Sequence, residues 1–173
     1  VQGNPAWQWA DFNNPPDPKG SEDCLYLNIM APANRPVGAP LLPVLVKIHS
    51  GGYVQGSADW TDGYTLMKHT HGGILYVSIQ YRLGVYGFLA SNAVVSDGVA
   101  NAGLLDQRLA LNWIRKYISR FGGDGERITI EGGAAGGGSV SLHLMMFGGK
   151  SDPPFRGAIA GMSTGWFLSC TKL

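Results

Sequence analysis

Between the apolar run RITI and the segment SVSLHLMMFG lies EGGAAGGGSV, residues 131–140, with five glycines, two alanines and no nucleophile at the junction itself. A strand that turns sharply into a helix holds the residue at the turn in a strained conformation, its side chain raised above the sheet. Small neighbours are needed because strand and helix approach closely there. In a G-x-S-x-G elbow the raised residue is a serine that attacks an acyl carbon. Here the window reads Gly132, Gly133, Ala134, Ala135, Gly136, so the raised side chain is a methyl group.

Other residues compete for a chemical role. GMSTG, residues 161–165, is a literal G-x-S-x-G with Ser163 at its centre. An elbow must lead into a helix whose N-terminus faces the site, and the remaining WFLSCTKL is too short for a packed one, so Ser163 reads as a turn at a strand end. His69 and His71 sit two apart without a Cys or His pair to complete a metal site and read as solvated turn residues. His49 ends a strand, and His143 lies in the helical run after the elbow, where it packs or caps. No histidine stands where a general base for the elbow would be expected, and no metal or cofactor is implied.

The elements that must position these residues follow from the apolar pattern. LYLNIMAP (25–32), LPVLVKIH (42–49), GILYVSIQYR (73–82), RITIEG (127–132) and FRGAIAGM (155–162) read as strands, the third buried on both faces because it is almost continuously apolar. Between residues 103 and 121, Leu105, Leu109, Trp113 and Tyr117 recur at helical spacing with Ile114 and Ile118 beside them, a helix that covers a sheet. Strands alternating with helices predict an α/β fold with a mostly parallel sheet. The opening ADFNNPPDPKG is loop, and the aromatic Trp7, Trp9 and Phe12 before or within it could line a gorge or belong to a tethered terminus.

Composition narrows the class. In 173 residues, 45% apolar and 14% charged side chains suit one densely packed domain, 1–173. A formal charge of +1 without a basic cluster gives no footprint for nucleic acid or an anionic membrane. No apolar run is long enough to span a bilayer, and the first residues do not read as a signal peptide. Cys24 and Cys170 permit at most one bridge.

Several separated stretches together resemble the type-B carboxylesterases, the carboxylesterase and cholinesterase family of the α/β-hydrolases. SEDCLYLNI (21–29) is similar to one family signature, and FGGDGERITIEGGAAG (121–136) follows the other apart from its serine. IHSGGYVQGS, YRLGVYGFL and NAGLLDQRLALNWI lie between them in the family's order. The resemblance runs from about Gly20 onward and corresponds to an N-terminal portion of the catalytic domain, a partial α/β-hydrolase fold.

That resemblance implies acyl transfer from a small-molecule ester through a serine, a histidine and an acidic residue. Ala134 stands at the nucleophile's position, Gly133 where the family has glutamate, and Ser50 where the first glycine of a triplet stands. The family's histidine and acid come well after the elbow, beyond Leu173. The backbone N–H groups of Gly51, Gly52 and Ala135 are implied as the oxyanion hole, which needs no serine hydroxyl. Arg82, Asp106 and Gln107 are expected to hold the loops around the elbow by charge-assisted hydrogen bonds. The family's cysteine in DCLYLN pairs upstream, but none precedes Cys24, which is therefore expected to be free. The resemblance is compatible with a secreted protein, although the compartment is unknown from the residues. Two readings stand: an ester hydrolase whose chain as written is inactive, or a catalytically dead relative that binds a ligand or partner. The last strand is expected to leave an open edge that drives self-association or pairing with a C-terminal remainder of the same protein.

Overall fold

The computed structural model describes residues 22–149 and 152–161. Ser163, Cys170, Trp7, Trp9 and Phe12 lie outside the described residues.

Five strands form one sheet: β1 (Leu27–Met30), β2 (Leu42–Ile48), β3 (Leu75–Ile79), β4 (Gly123–Gly133) and β5 (Gly157–Gly161), in the order β1-β3-β2-β4-β5. β1 runs antiparallel to β3, whereas the other neighbours are parallel, so the sheet is mixed only at one edge. Each expected strand is present, and β3 is buried at every position, as its unbroken apolar run requires. Crossovers between parallel strands need a dozen or more residues. They contain α1 (Gly63–His69), then α2 (Gly84–Phe88), α3 (Asn92–Asp97) and α4 (Ala102–Tyr117), and finally α5 (Ala135–Met145).

Side chains alternate across the sheet. Val44, Val46, Ile48, Ile128 and Ile130 join Leu111, Ile114 and Ile118 in one core with Val140 of α5. On the opposite face α1 brings Gly63 against the ring of Tyr76. The helical spacing seen in the sequence is right for α4, but its inward face is turned by about one position. Leu104, Leu111, Ile114 and Ile118 are buried, while Leu109 and Trp113 are exposed and Trp113 packs outside on Tyr117 and Phe121. An aromatic row at helical spacing reads like a core face from sequence, whereas the buried Asp106 and Gln107 share the inward side with Leu104, Leu111 and Ile114.

His69 ends α1 rather than sitting in a turn, and its Nδ1 donates to the Thr65 carbonyl; His71, at φ 51, is in the turn that follows. Cys24 is a buried free thiol.

Candidate active site

β4 ends at Gly133 and α5 begins at Ala135, so the whole change of direction falls on Ala134. Its dihedrals, φ 48 and ψ −118, belong to the first central position of a type II′ turn, normally reserved for glycine. An alanine there stores strain, and two things hold it. The Ala134 N–H donates to the Gly161 carbonyl at 3.1 Å, and its own carbonyl accepts from Gly138 N–H at 2.9 Å, closing the first turn of α5. The turn fits only because its neighbours lack Cβ atoms. A Cβ on Gly132 would collide with the Gly136 carbonyl, and one on Gly136 with the Ile48 carbonyl of β2.

The loop after β2 meets this turn. Gly51, Gly52 and Tyr53 have successive positive φ of 112, 65 and 63. The Gly51 carbonyl accepts from both Val54 and Gln55 N–H, so the loop's own hydrogen bonds use that carbonyl and no described backbone acceptor takes the Gly51 or Gly52 amides. Gly51, Gly52, Ala134 and Ala135 line one cleft of about 850 Å³, and Val54, Val85, Phe88 and Leu89 supply its apolar walls. The residues expected from sequence are therefore brought together. The wall residues from α2 were not foreseen, because a short helix with a GVYGF sequence carries no periodic signal.

Buried polar groups fix the loop and the elbow to the helices behind. Gln107 of α4 donates from Nε2 to Ser139 Oγ at 3.1 Å and accepts at Oε1 from His143 Nε2 at 3.0 Å, while Ser139 Oγ reaches Tyr53 Oη at 3.5 Å. Burial, with Arg108 nearby, pulls His143 down to about 3, so it is a neutral positioning group. His49 donates from Nδ1 to the Ser50 carbonyl at 2.8 Å and stacks on Tyr81 at 4.3 Å; burial lowers its pKa too. It pins the start of the loop after β2 through the Ser50 carbonyl. Asp106, buried at the second turn of α4, accepts three N–H bonds from Arg82, from the backbone amide, Nε and Nη2. No described histidine bonds a carboxylate, and among the described residues no group of three or more His, Cys, Asp or Glu is placed to hold a metal ion.

A second recess of about 440 Å³ opens on the other side of Ala134 and shares Ser50 and Ala134 with the large cleft. Lys47, Trp60 and Thr61 line it. The sequence carried a signal for Lys47: it is a charge in an otherwise apolar strand, four residues before Gly51.

Chemically, the arrangement offers an apolar cleft, a raised methyl at the strand-to-helix turn and backbone amides beside it. It can bind and orient a carbonyl group but holds no hydroxyl at the turn itself. Residues 1–168 match the carboxylesterase family. The carboxylesterase patB of Aspergillus clavatus is 41% identical over 165 residues, which cover 87% of this chain and 29% of that protein. A secreted lipase of Arthroderma benhamiae is 38% identical over 152 residues, 83% of this chain and 30% of its own length. The crystal structure of Aspergillus niger EstA superposes with a TM-score of 0.75 at 44% identity, covering 81% of this chain and 27% of that one. The chain thus spans under a third of the length of these relatives.

Proposed function

This chain belongs to the carboxylesterase family, and from that premise we propose that it forms the elbow and oxyanion-loop half of a carboxylic ester hydrolase site, inactive as written because Ala134 occupies the nucleophile's place. One observation carries the reading: the backbone of Ala134 keeps the strained elbow geometry, φ 48 and ψ −118, although no serine is there to benefit from it. In the proposed role, the amides of Gly51, Gly52 and Ala135 receive the ester carbonyl oxygen, and the walls of Val54, Val85, Phe88 and Leu89 take an apolar chain.

A hydrolase that loses its nucleophile loses on the order of 10⁶ in kcat and keeps roughly 10³ to 10⁴ over water from binding and oxyanion contacts. The chain is accordingly expected to bind small esters without turning them over. A second reading, a ligand- or partner-binding relative without catalysis, draws on Gly133 and Ser50, which depart from the family pattern beside Ala134. The secreted lipase among the relatives supports an extracellular location for this chain too.

An assay with p-nitrophenyl acetate tests both. The expected result is no turnover above buffer, with saturable ester binding by ligand-observed NMR. Turnover that disappears in Ser163→Ala would refute the reading and transfer the nucleophile to Ser163. Absence of any ester binding would favour the partner-binding alternative.

A further inference from the structure

Lys47 and Glu131 are register partners on the two central strands, β2 and β4, and their side chains meet with Nζ 2.6 Å from Oε1. Both side chains are partly exposed, at 22% and 28%, on the sheet face opposite the α4 and α5 core. A cross-strand ion pair is worth a few tenths of a kcal/mol to about 1 kcal/mol to the sheet. Its position, however, does more than brace two strands. Lys47 lines the 440 Å³ recess beside the elbow, and Glu131 does not.

The recess and the large cleft share Ser50 and Ala134, so a molecule held at the elbow can extend into both. The walls differ in kind. The large cleft is closed by Val54, Val85, Phe88 and Leu89, all uncharged. Of the described residues lining the small recess only Lys47 is charged at neutral pH, since burial keeps His49 neutral. The ammonium carries three N–H donors, Glu131 takes one, and no other described residue accepts from it. Thr61 is already committed, donating to the Ala58 carbonyl at 2.8 Å. Glu131, the register partner of Lys47, lies three residues before Ala134, about 10 Å along a strand, a span that a chain of a few methylenes crosses.

We propose that the small recess is a subsite for a carboxylate carried by the ester, with Lys47 as its recognition residue. The site's substrate class is then the half-ester of a short dicarboxylic acid. The ester carbonyl lies at the elbow, the alkyl group faces the apolar cleft, and the free carboxylate pairs with Lys47. Glu131 orients the ammonium and also competes for it. This inference rests on the ester-binding reading of the elbow and deepens it.

The test uses the whole 173-residue chain and three probes at pH 7: monomethyl adipate, dimethyl adipate and methyl 6-aminohexanoate, with binding followed by calorimetry and ligand-observed NMR. The monoanion is expected to bind roughly tenfold more tightly than the diester, the scale of one charge-assisted hydrogen bond, and the cationic ester most weakly. Lys47→Gln should erase the preference, Lys47→Arg should keep it, and Glu131→Gln should widen it by freeing the ammonium. The double variant Lys47→Gln with Glu131→Gln, which leaves no unpaired charge, should erase it as well and covers the case in which the single variant unfolds. A purely structural ion pair predicts the opposite pattern, in which Glu131→Gln weakens or leaves unchanged the binding of every probe. A wild-type chain that binds the diester as well as the monoanion overturns the subsite while leaving ester binding intact. Failure of all three probes overturns ester binding at the elbow itself and the subsite with it.

Discussion

Gly136, in the first turn of α5, lies so close to β2 that a Cβ on it would strike the carbonyl oxygen of Ile48. Gly132 stands in the same relation to the Gly136 carbonyl, so strand, turn and helix are locked by two missing side chains. These are backbone obstacles, and a flexible side chain cannot move aside to relieve them. Gly132→Ala or Gly136→Ala should therefore cost about 3 kcal/mol, at the upper end of overpacking costs. Gly133 is the internal control. A Cβ there would have the Gly161 carbonyl at 3.8 Å as its nearest neighbour, an ordinary contact, so Gly133→Ala should change stability by less than about 0.5 kcal/mol. Urea unfolding of the three variants decides the matter; equal effects would contradict the close approach.

Ala134 pays a backbone penalty for its position. Dihedrals this unusual cost on the order of 1–3 kcal/mol in a residue with a Cβ, whereas glycine adopts them freely and loses roughly 1 kcal/mol to chain entropy. Ala134→Gly should accordingly stabilise the chain by up to about 1–2 kcal/mol in the same unfolding assay. Ala134→Ser should be close to neutral, because the strain comes from Cβ and the added hydroxyl points into open space shared by the two recesses. A large loss on Ala134→Gly would mean that the methyl is packed rather than raised.

The contrast between those variants shows how far the sequence could be read. The strand-to-helix turn was legible because it is a local constraint: small residues are compulsory at Gly132 and Gly136, and their spacing can be read with an alanine between them. The strands were legible for the same reason, through unbroken apolar runs such as LYVSI. The inward face of α4 was legible only in part: Ile114 and Ile118 are buried, but Leu109 and Trp113 are not. Trp113 packs at a tilt against both Tyr117 and Phe121 outside the core, and an outward aromatic row has the same periodicity as an inward one. The Lys47–Glu131 pair was also hidden, since register between β2 and β4, eighty-odd residues apart, is set by tertiary pairing.

Asp106 joins α4 to the loop after β3 by accepting three N–H bonds from Arg82, two of them at 2.7 Å. The carboxylate is buried while the guanidinium is 43% exposed, so the cost of breaking the pair falls mainly on Asp106. Arg82→Ala should leave a buried carboxylate held by the residue 82 backbone amide alone, without its counter-charge, and cost about 2–3 kcal/mol. Asp106→Asn, which keeps the shape and loses the charge, should cost less. Chemical denaturation ranks the two; a smaller loss for Arg82→Ala would show that the bond does not hold the loop.

His143 gives the fold a pH dependence whose sign is fixed. Burial first, and the charge of Arg108 second, hold its imidazole at about 3, far below its ordinary value of 6.5. Between these values the unfolded chain binds the proton and the folded chain does not. Stability is therefore full above pH 6.5 and falls as the pH drops toward 3, with a slope approaching about 1.4 kcal/mol per unit from this one group. His49, lowered by burial as well, adds to the same trend. Unfolding midpoints measured from pH 7.5 to 4 should decline, and His143→Gln should flatten the decline. A variant with an unchanged slope would show that His143 is solvated.

The last prediction concerns β5. It pairs with β4 on one side, and among the described residues no strand takes its other side. Ala158, Ile159 and Ala160 are exposed, with Ile159 at 53%. A strand in this state presents a row of unpaired N–H and C=O groups beside an apolar side chain, without the charge or proline that blunts an edge. We propose that this edge recruits another strand, either from a second copy of the chain or from further sequence of the same protein, since the chain covers only 29% and 30% of two of its relatives. The 173-residue chain should sediment as a concentration-dependent mixture of monomer and larger species. Ile159→Lys, which places a charge on the exposed face without touching the β4 pairing, should shift it toward monomer, because a second strand would then bury an unpaired ammonium. A monodisperse monomer with cooperative thermal unfolding would overturn the open edge.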